Sequence, residues 1–569
     1  EKVYALNTIG GALGVVFFGF VLLKYFGYTN MMYFIPLLSA INIFCIILIL
    51  KKKKLNPQIQ TQKQTQNKHA EIKIKRTTII TISALSGFII FLLEVLWFRH
   101  LEIIIGDRAY ISSIILFTII ITLGVSSYLS GYLTNKSSVN KIFGYGITFT
   151  ILSFLISQLF IPQVFFLDTI VKTQAYLKIL FIIFSFLIPI FLLGLTFPIL
   201  LKLIQQSHNE KVTATSLGIN SFFSMCGTLI GSYIIIETLG VNSIYVISSI
   251  LLIIILLIVE NEYKTNYFFS AIASIVFILF ISLGVQNLHV APQNMILYEK
   301  QTPLTHFTVV KTENYEMYAG NYRLVYTYKA KNVNYAQKAL AFAPALYHEK
   351  PKKILSIGLG YGITVGSLLR VNPEFIDSVE LIQSTYDMSF LYHEFNNKQH
   401  LNPKVNTHID DGRRFLARSN KRYDIITASI VSPYSISGSF FLTQEYYKIV
   451  KEKLNENGVY AQLIWGFNNT EIIHTIKSVF PYMTAVPGYD LNEIVILASK
   501  KPLELKKNIN SYDEFWPLYE NLDRKTSFKF GDQVINTHLK DQPKFIISDY
   551  RADMIFEFNK EIGFLWTRE

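Results

Sequence analysis

Cysteine is almost absent from this chain: there are 2 in 569 residues, Cys45 and Cys226, each inside an apolar run. Two isolated thiols exclude a disulfide framework and a cysteine-based metal cluster, and leave the redox compartment open. Charge is sparse too, at 16% of residues, while hydrophobic residues reach 51% and mean hydropathy is +0.33. An ordinary soluble enzyme of this length carries more charge, so the composition requires membrane spans. The net charge of +13 would suggest a nucleic-acid partner in a soluble protein, but nine of the basic residues lie in one stretch, 51–76. They read as topology signals, and no nucleic-acid partner is expected. No methionine opens the chain, and an apolar span starts within a few residues, without the short apolar core and cleavage site of a secretory signal. The expectation is a chain that opens inside a longer protein.

Runs of roughly 18 or more apolar residues lie near 4–23, 32–50, 78–98, 110–133, 143–162, 178–201, 215–236, 243–259 and 267–288. The 51–76 stretch, rich in lysine and glutamine with no apolar periodicity, reads as a basic flexible linker. An offset of 213 residues brings Asn7-Thr8 onto Asn220-Ser221, Gly14 onto Gly227 and Phe26-Gly27 onto Leu239-Gly240. A duplicated membrane unit explains the repeat, as in transporter folds built from two related bundles. Residues 77–259 then form a six-helix half, 267–288 an additional membrane helix, and 1–50 the last two helices of a truncated first half. Glu94, inside the span 78–98, is either an intramembrane functional carboxylate or an acid paired with Arg99 or His100 near the helix end.

Beyond the last span the composition becomes that of a soluble α/β domain. Residues 292–349 read as a small β-rich subdomain with strands at 306–311 and 322–328 and a helix at 335–347. Strands at 354–357, 378–381, 405–409, 423–428, 459–464 and 494–498 alternate with helical segments, which predicts a mainly parallel sheet over 350–500. Residues 501–569 are a C-terminal extension with no assignable pattern.

The chemistry concentrates in KKILSIGLGYGITVGSLLR, 352–370. A strand, the glycines Gly358, Gly360 and Gly362, and a helix start form a turn that lets backbone approach a ligand closely. About 20 residues past the second glycine, Glu380 ends the next strand, where a doubly wound fold places an acid on a ribose. The following strand ends in Asp410-Asp411, able to accept a hydrogen bond from an adenine amino group. The strand at 423–428 runs into Ser429, Ser432 and Tyr434, the loop that faces the reacting atom. At each acid a solvated strand end or helix cap is the alternative.

GLGYGIT, SVEL, IDDGRRFL, YDIITASIVSP and FLTQEYYKIVKEKLNENGVYAQLIW, preceded by a helical bundle that includes SGFIIFLLEVLWFR, together resemble the membrane-fused spermidine synthase-like family. The resemblance covers nearly the whole chain. It implies a multi-pass α-helical membrane domain with a transporter-like repeat, followed by an α/β Rossmann-like domain of the spermidine synthase or methyltransferase type. The implied co-substrate is S-adenosylmethionine or its decarboxylated form, with no metal. Gly358, Gly360 and Gly362 would line its methionine-derived part, Glu380 its ribose and Asp411 its adenine.

The amine side departs from that family. Its polyamine-forming members carry an acid where this chain has Tyr361, acids where it has Ser429 and Ser432, and a Tyr-His-Glu near Gln337. A diamine enters as a cation, must be held by carboxylates and must lose a proton before its nitrogen attacks. The residues therefore favour a transferase that moves an aminopropyl-type or methyl group to an acceptor other than putrescine, which could itself be membrane-associated. Tyr361, Ser429, Ser432 and Tyr434 are the candidate catalytic residues. The alternative class is a transporter whose soluble domain binds or senses a nucleoside without turnover. With nine spans, about 15 lysines and arginines share the linker's side and about 5 the other. The linker is then cytoplasmic, and seven spans later the 292–569 domain is expected outside the cytoplasm.

Overall fold

The computed structural model describes residues 2–55, 75–105, 109–136, 139–170, 186–207, 210–262, 267–282, 296–302, 306–311, 315–319, 322–326, 335–429, 436–465, 470–487, 493–508 and scattered positions from 511 to 547. Of the linker expected at 51–76, residues 56–74 lie outside them, while 51–55 are not flexible but continue the helix Leu23–Leu55.

The first part is helical. Among the described residues, four helices are long and apolar enough to cross a bilayer: Arg76–His100, Ser113–Ser130, Val212–Leu239 and Ser243–Glu262. Shorter apolar helical segments lie at Thr8–Leu22, Asn30–Cys45, Ile142–Ser157 and Phe268–Leu279. The spans read separately at 4–23 and 32–50 run as one helical stretch, Lys2–Phe17, Phe18–Leu22 and Leu23–Leu55. The segment between them offers only Gly27 as a breaker, too little by itself to end a helix.

Among the described residues, complete π-helical turns lie at Phe18–Leu22 and Gly231–Ile235. The 213-residue offset of the repeat carries Phe18 onto Gly231 and Leu22 onto Ile235, so an irregularity of the backbone repeats together with the sequence. The helices Arg76–Ile105 and Glu210–Ile230 run parallel and close together. Asn220 Nδ2 donates to the Ser83 carbonyl at 3.0 Å, and a Cβ on Gly227 would stand 2.4 Å from the Phe88 oxygen. Small residues at such a contact let two backbones approach, which replaces the hydrophobic drive that lipid removes.

Polar contacts pin the ends of the bundle. On one face Thr78 Oγ1 donates to Glu262 at 2.7 Å, and buried Glu260 accepts from the Phe269 N–H at 2.8 Å, capping the helix Phe268–Ser282. That helix packs into the bundle, with Phe269 edge-on to Tyr145 at 4.8 Å. On the opposite face, Arg99 Nη2 donates to the Thr302 carbonyl at 3.2 Å, and the Val241 N–H donates to Gln301 Oε1 at 2.5 Å. The soluble part therefore starts on the face away from Thr78 and Glu262. Glu94 pairs with neither expected partner, since Arg99 reaches Thr302 and His100 reaches Asn242 at 3.1 Å.

Strands β1 (Ile296–Gln301), β2 (His306–Lys311), β3 (Tyr315–Ala319) and β4 (Tyr322–Tyr326) form an antiparallel sheet in chain order. After the helix Tyr335–Leu346 come β5 (Lys353–Ile357), β6 (Phe375–Glu380), β7 (Val405–Ile409), β8 (Tyr423–Ser429), β9 (Leu454–Trp465), β10 (Tyr482–Pro487) and β11 (Glu493–Ser499). They make a 7-stranded sheet in the order β10-β11-β9-β8-β5-β6-β7. From β7 to β9 the neighbours are parallel, and β11 runs antiparallel between β9 and β10. Both faces are buried: Leu355 and Ile357 join the cluster holding Tyr446 and Tyr460, while Ile354 meets Leu340 and Phe342 of the helix Tyr335–Leu346. Two-sided burial explains the continuous apolar runs of these strands. The strand order reverses between β5 and β8, which opens a crevice at their carboxyl ends.

Candidate nucleoside site

The crevice is walled by the glycine turn. Gly358, Gly360 and Gly362 adopt φ of 84°, 52° and 80°, a region L side chains rarely enter. Their surroundings differ. A Cβ on Gly358 would lie 2.6 Å from the Ser429 carbonyl oxygen and one on Gly362 3.1 Å from Asn396 Nδ2, whereas one on Gly360 would meet no heavy atom of the described residues within 4 Å. The turn is thus clamped at both ends and open in the middle.

Glu380 closes the turn from below. One carboxylate oxygen accepts from the Leu359 N–H at 3.0 Å and the Gly360 N–H at 3.5 Å, and the other from the Ile382 N–H at 3.1 Å. The side chain is nearly buried, at 8% exposure. Burial pushes its carboxyl above the usual range, and the amides of Leu359, Ile382, Gly360 and Leu381 offset part of that rise. A buried carboxylate of this kind at an open turn is suited to accept from the two hydroxyls of a ribose.

The two aspartates after β7 divide. Asp411 caps the helix Gly412–Arg418, accepting from the Arg414 N–H at 2.7 Å, while its other oxygen has no partner among the described residues. Asp410 is ion-paired with Arg414 and, at 2.6 Å, with Arg418, and its carboxyl is held below the usual range chiefly by Arg414. Asp410 is therefore occupied by guanidinium groups, and of the two only Asp411 keeps an oxygen without a partner among the described residues.

The candidate catalytic residues are brought together only in part. Ser429 ends β8 against Gly358. Ser432 and Tyr434 lie outside the described residues. Tyr361 does not line an open mouth: at 4% exposure its ring sits edge-on to Tyr392, 4.5 Å between centroids, in an apolar cluster with Phe307, Val309, Ile363 and Met388. An aromatic side chain in that position packs where a short polar one would be left without partners. Gln337 touches the site through its backbone, its carbonyl accepting from Thr364 Oγ1 at 3.3 Å.

Asn396 escapes a reading of motifs. Its amide donates to the carbonyls of Tyr361 and Ser389, each at 2.8 Å, and so fixes the turn from outside. The only sequence cue is the Asn396-Asn397 pair, followed by positive φ at Asn397 and Lys398, since asparagine tolerates that region. Among the described residues no group of three or more His, Cys, Asp or Glu could hold a metal ion.

Comparison with known proteins matches two parts of the chain to two different families. Residues 334–508 match the family described as spermine/spermidine synthase domain, and residues 2–232 match the Major Facilitator Superfamily. A polyamine aminopropyltransferase of Methanocaldococcus jannaschii is 30% identical over 180 residues, covering 29% of this chain and 61% of that protein. Polyamine aminopropyltransferase 2 of Aquifex aeolicus is 20% identical over 429 residues, covering 71% of this chain and 84% of that protein. A crystal structure of spermidine synthase in complex with the transition state analogue AdoDATO matches 43% of this chain and 89% of its own, at 18% identity and a TM-score of 0.38. The chain joins a transporter-like helical part to a spermidine synthase-like domain.

Proposed function

We propose that the soluble domain binds an adenine nucleoside carrying a sulfur-linked chain, S-adenosylmethionine or its decarboxylated form, and transfers an alkyl group from its sulfonium to an acceptor that is not a dication. The observation that carries this reading is the Glu380 carboxylate held at the open middle of the glycine turn. Glu380 would hold the ribose, Asp411 the adenine amino group and the turn around Gly360 the chain beyond the sulfur. A sulfonium activates its own carbon: the acceptor's electron pair forms the new bond while the sulfur leaves with its pair as a neutral thioether. The protein's part is to hold the acceptor in line and close. The relatives named polyamine aminopropyltransferase support the transfer class. Ser429 and the buried ring of Tyr361 supply no carboxylate to hold or deprotonate a diamine. Those same two residues favour the second reading, a domain that binds the nucleoside without turnover.

Calorimetry on the full chain tests the pocket. Glu380→Ala is expected to lose about 1.5–3 kcal/mol of nucleoside binding, roughly ten- to a hundredfold, while Ser429→Ala changes affinity by less than about threefold. Equal, small effects would remove the assignment. With decarboxylated S-adenosylmethionine and putrescine the unaltered protein is expected to form no spermidine. Robust spermidine formation would contradict the acceptor side, and binding without any methylthioadenosine or S-adenosylhomocysteine release would favour the sensor.

We also place the soluble domain outside the cytoplasm. The lysine and arginine asymmetry supports this, as does the start of β1 on the bundle face away from Thr78 and Glu262. Single cysteines Gln62→Cys and Ser511→Cys, in a background lacking Cys45 and Cys226, report it through an impermeant maleimide on intact cells. Labelling of Ser511→Cys alone is expected, and labelling of Gln62→Cys alone would invert the topology.

A further inference from the structure

The small sheet touches both working parts of the chain. At one end of β1, Gln301 accepts from the Val241 N–H at the start of the helix Ser243–Glu262, and the Thr302 carbonyl accepts from Arg99 of the helix Arg76–Ile105. Gly240, at φ 81°, turns the chain directly over Gln301. His100 and Asn242, hydrogen-bonded at 3.1 Å and both buried, tie the same two helices together at this level. Gln301 pairs across the sheet with His306, and Glu299 bonds the His306 ring at 2.8 Å, so β1 and β2 move as one unit.

The other contact is with the nucleoside site. Phe307 and Val309 of β2 are buried in one cluster with Tyr361, whose backbone lies between Gly360 and Gly362, and Ile382 and Tyr298 pack against its edge. Ile382 is also the residue whose N–H binds Glu380. The Glu380 carboxylate is engaged with the amides of Leu359, Gly360 and Ile382. A ribose diol brings two more donors to these oxygens, and a carboxylate that already holds three amides bonds each of them less strongly as donors are added, so the turn and the Ile382 backbone readjust when it binds. The Tyr361 ring and the Ile382 side chain cannot follow without moving β2, because close-packed interiors pass displacement on rather than absorb it.

We infer that occupancy of the glycine turn is transmitted through Tyr361, β2 and β1 to the ends of the membrane helices at Arg99 and Val241. This rests on the nucleoside reading and adds to it a coupling between the soluble domain and the transporter-like part. Linkage makes the coupling reciprocal: whatever conformation the helix ends take must alter nucleoside affinity by the factor with which the nucleoside alters the helix ends.

The test is hydrogen exchange on the full chain in lipid nanodiscs, read at the amides of 240–246 and 99–105, with and without 5′-methylthioadenosine. Calorimetry on the same samples shows whether the nucleoside is bound. Saturation is expected to change exchange at 240–246 by about fivefold or more, the lower end of ordinary coupling factors. Gln301→Ala should still bind the nucleoside but lose this response, and Gln301→Glu, which keeps the acceptor for Val241, should retain it. Calorimetric binding with no change at the helix ends, or a full response in Gln301→Ala, would overturn the coupling and leave the nucleoside site standing. No binding heat in the unaltered protein would overturn the site, and the coupling with it.

Discussion

Gly358→Ala is expected to cost about 2–5 kcal/mol of stability in the soluble domain and to weaken nucleoside binding by at least tenfold. Two effects add. An L side chain at φ 84° pays about 1–2 kcal/mol for the left-handed backbone, and its Cβ would stand 2.6 Å from the Ser429 carbonyl oxygen, an overlap of the kind that costs about 1–3 kcal/mol. Ser429 cannot yield cheaply, because β8 pairs it with Leu463 of β9. The turn must shift instead, and with it the amides of Leu359 and Gly360 that frame Glu380. Gly360→Ala provides the contrast. Its φ of 52° lies where L-residues are occasionally found, and no atom of the described residues stands within 4 Å of its Cβ, so stability should fall by about 1 kcal/mol or less. The added methyl nevertheless enters the space proposed for the nucleoside. Thermal unfolding and calorimetry of the two variants separate these effects. Wild-type affinity in Gly360→Ala would mean that no ligand approaches the turn there.

The parts of the site that could be read in advance are those written locally. A strand, a glycine turn and an acid about 20 residues later occupy consecutive sequence, and the structure joins Glu380 to that turn through Leu359. The repeat was legible for the same reason, and its offset also carries one π-helical turn onto the other. What escaped depends on distant partners. The burial of Tyr361 is decided by Phe307 and Val309, some fifty residues earlier in the chain. The split between Asp410 and Asp411 depends on where Arg414 and Arg418 fall around one helical turn, and two adjacent aspartates look alike until that helix is placed. Strand β10, with sequence YMTAVP, ends in a proline and lies on the sheet edge, where pairing with β11 decides its conformation more than its own pattern. Strands β1 and β3 were missed likewise, because ILYEKQ and YEMYA mix polar and apolar residues without clean alternation.

Asp377→Ala is expected to destabilise the soluble domain by about 3 kcal/mol without touching the nucleoside site. The carboxylate lies in the middle of β6 at 0% exposure and gathers four partners: Lys421 Nζ at 2.7 Å, the Tyr423 hydroxyl at 2.9 Å, and His408 Nε2 and Asn406 Nδ2 at 3.3 Å each. Removing one member of a buried charge pair costs about 3–5 kcal/mol because the other is left uncompensated. Lys421 is about half exposed, at 49%, and can turn to water, which places the cost at the low end. Asp377→Asn keeps an acceptor for Tyr423 and should lose only about 1–2 kcal/mol. The pH dependence follows from the sign of the shift. Burial alone would raise the Asp377 carboxyl, but the bonds from Lys421 and Tyr423 and the lysine charge outweigh it, and the group sits below its ordinary value of 3.8. A depressed acid contributes its stability fully above the unfolded value and loses it as pH falls through the folded one. The gap between wild type and Asp377→Ala should therefore hold steady at neutral and mildly acidic pH and narrow only below 3.8. Urea unfolding followed by tryptophan fluorescence measures it. A variant within about 0.5 kcal/mol of wild type at neutral pH would mean that the cluster around Asp377 adds nothing beyond an ordinary surface contact.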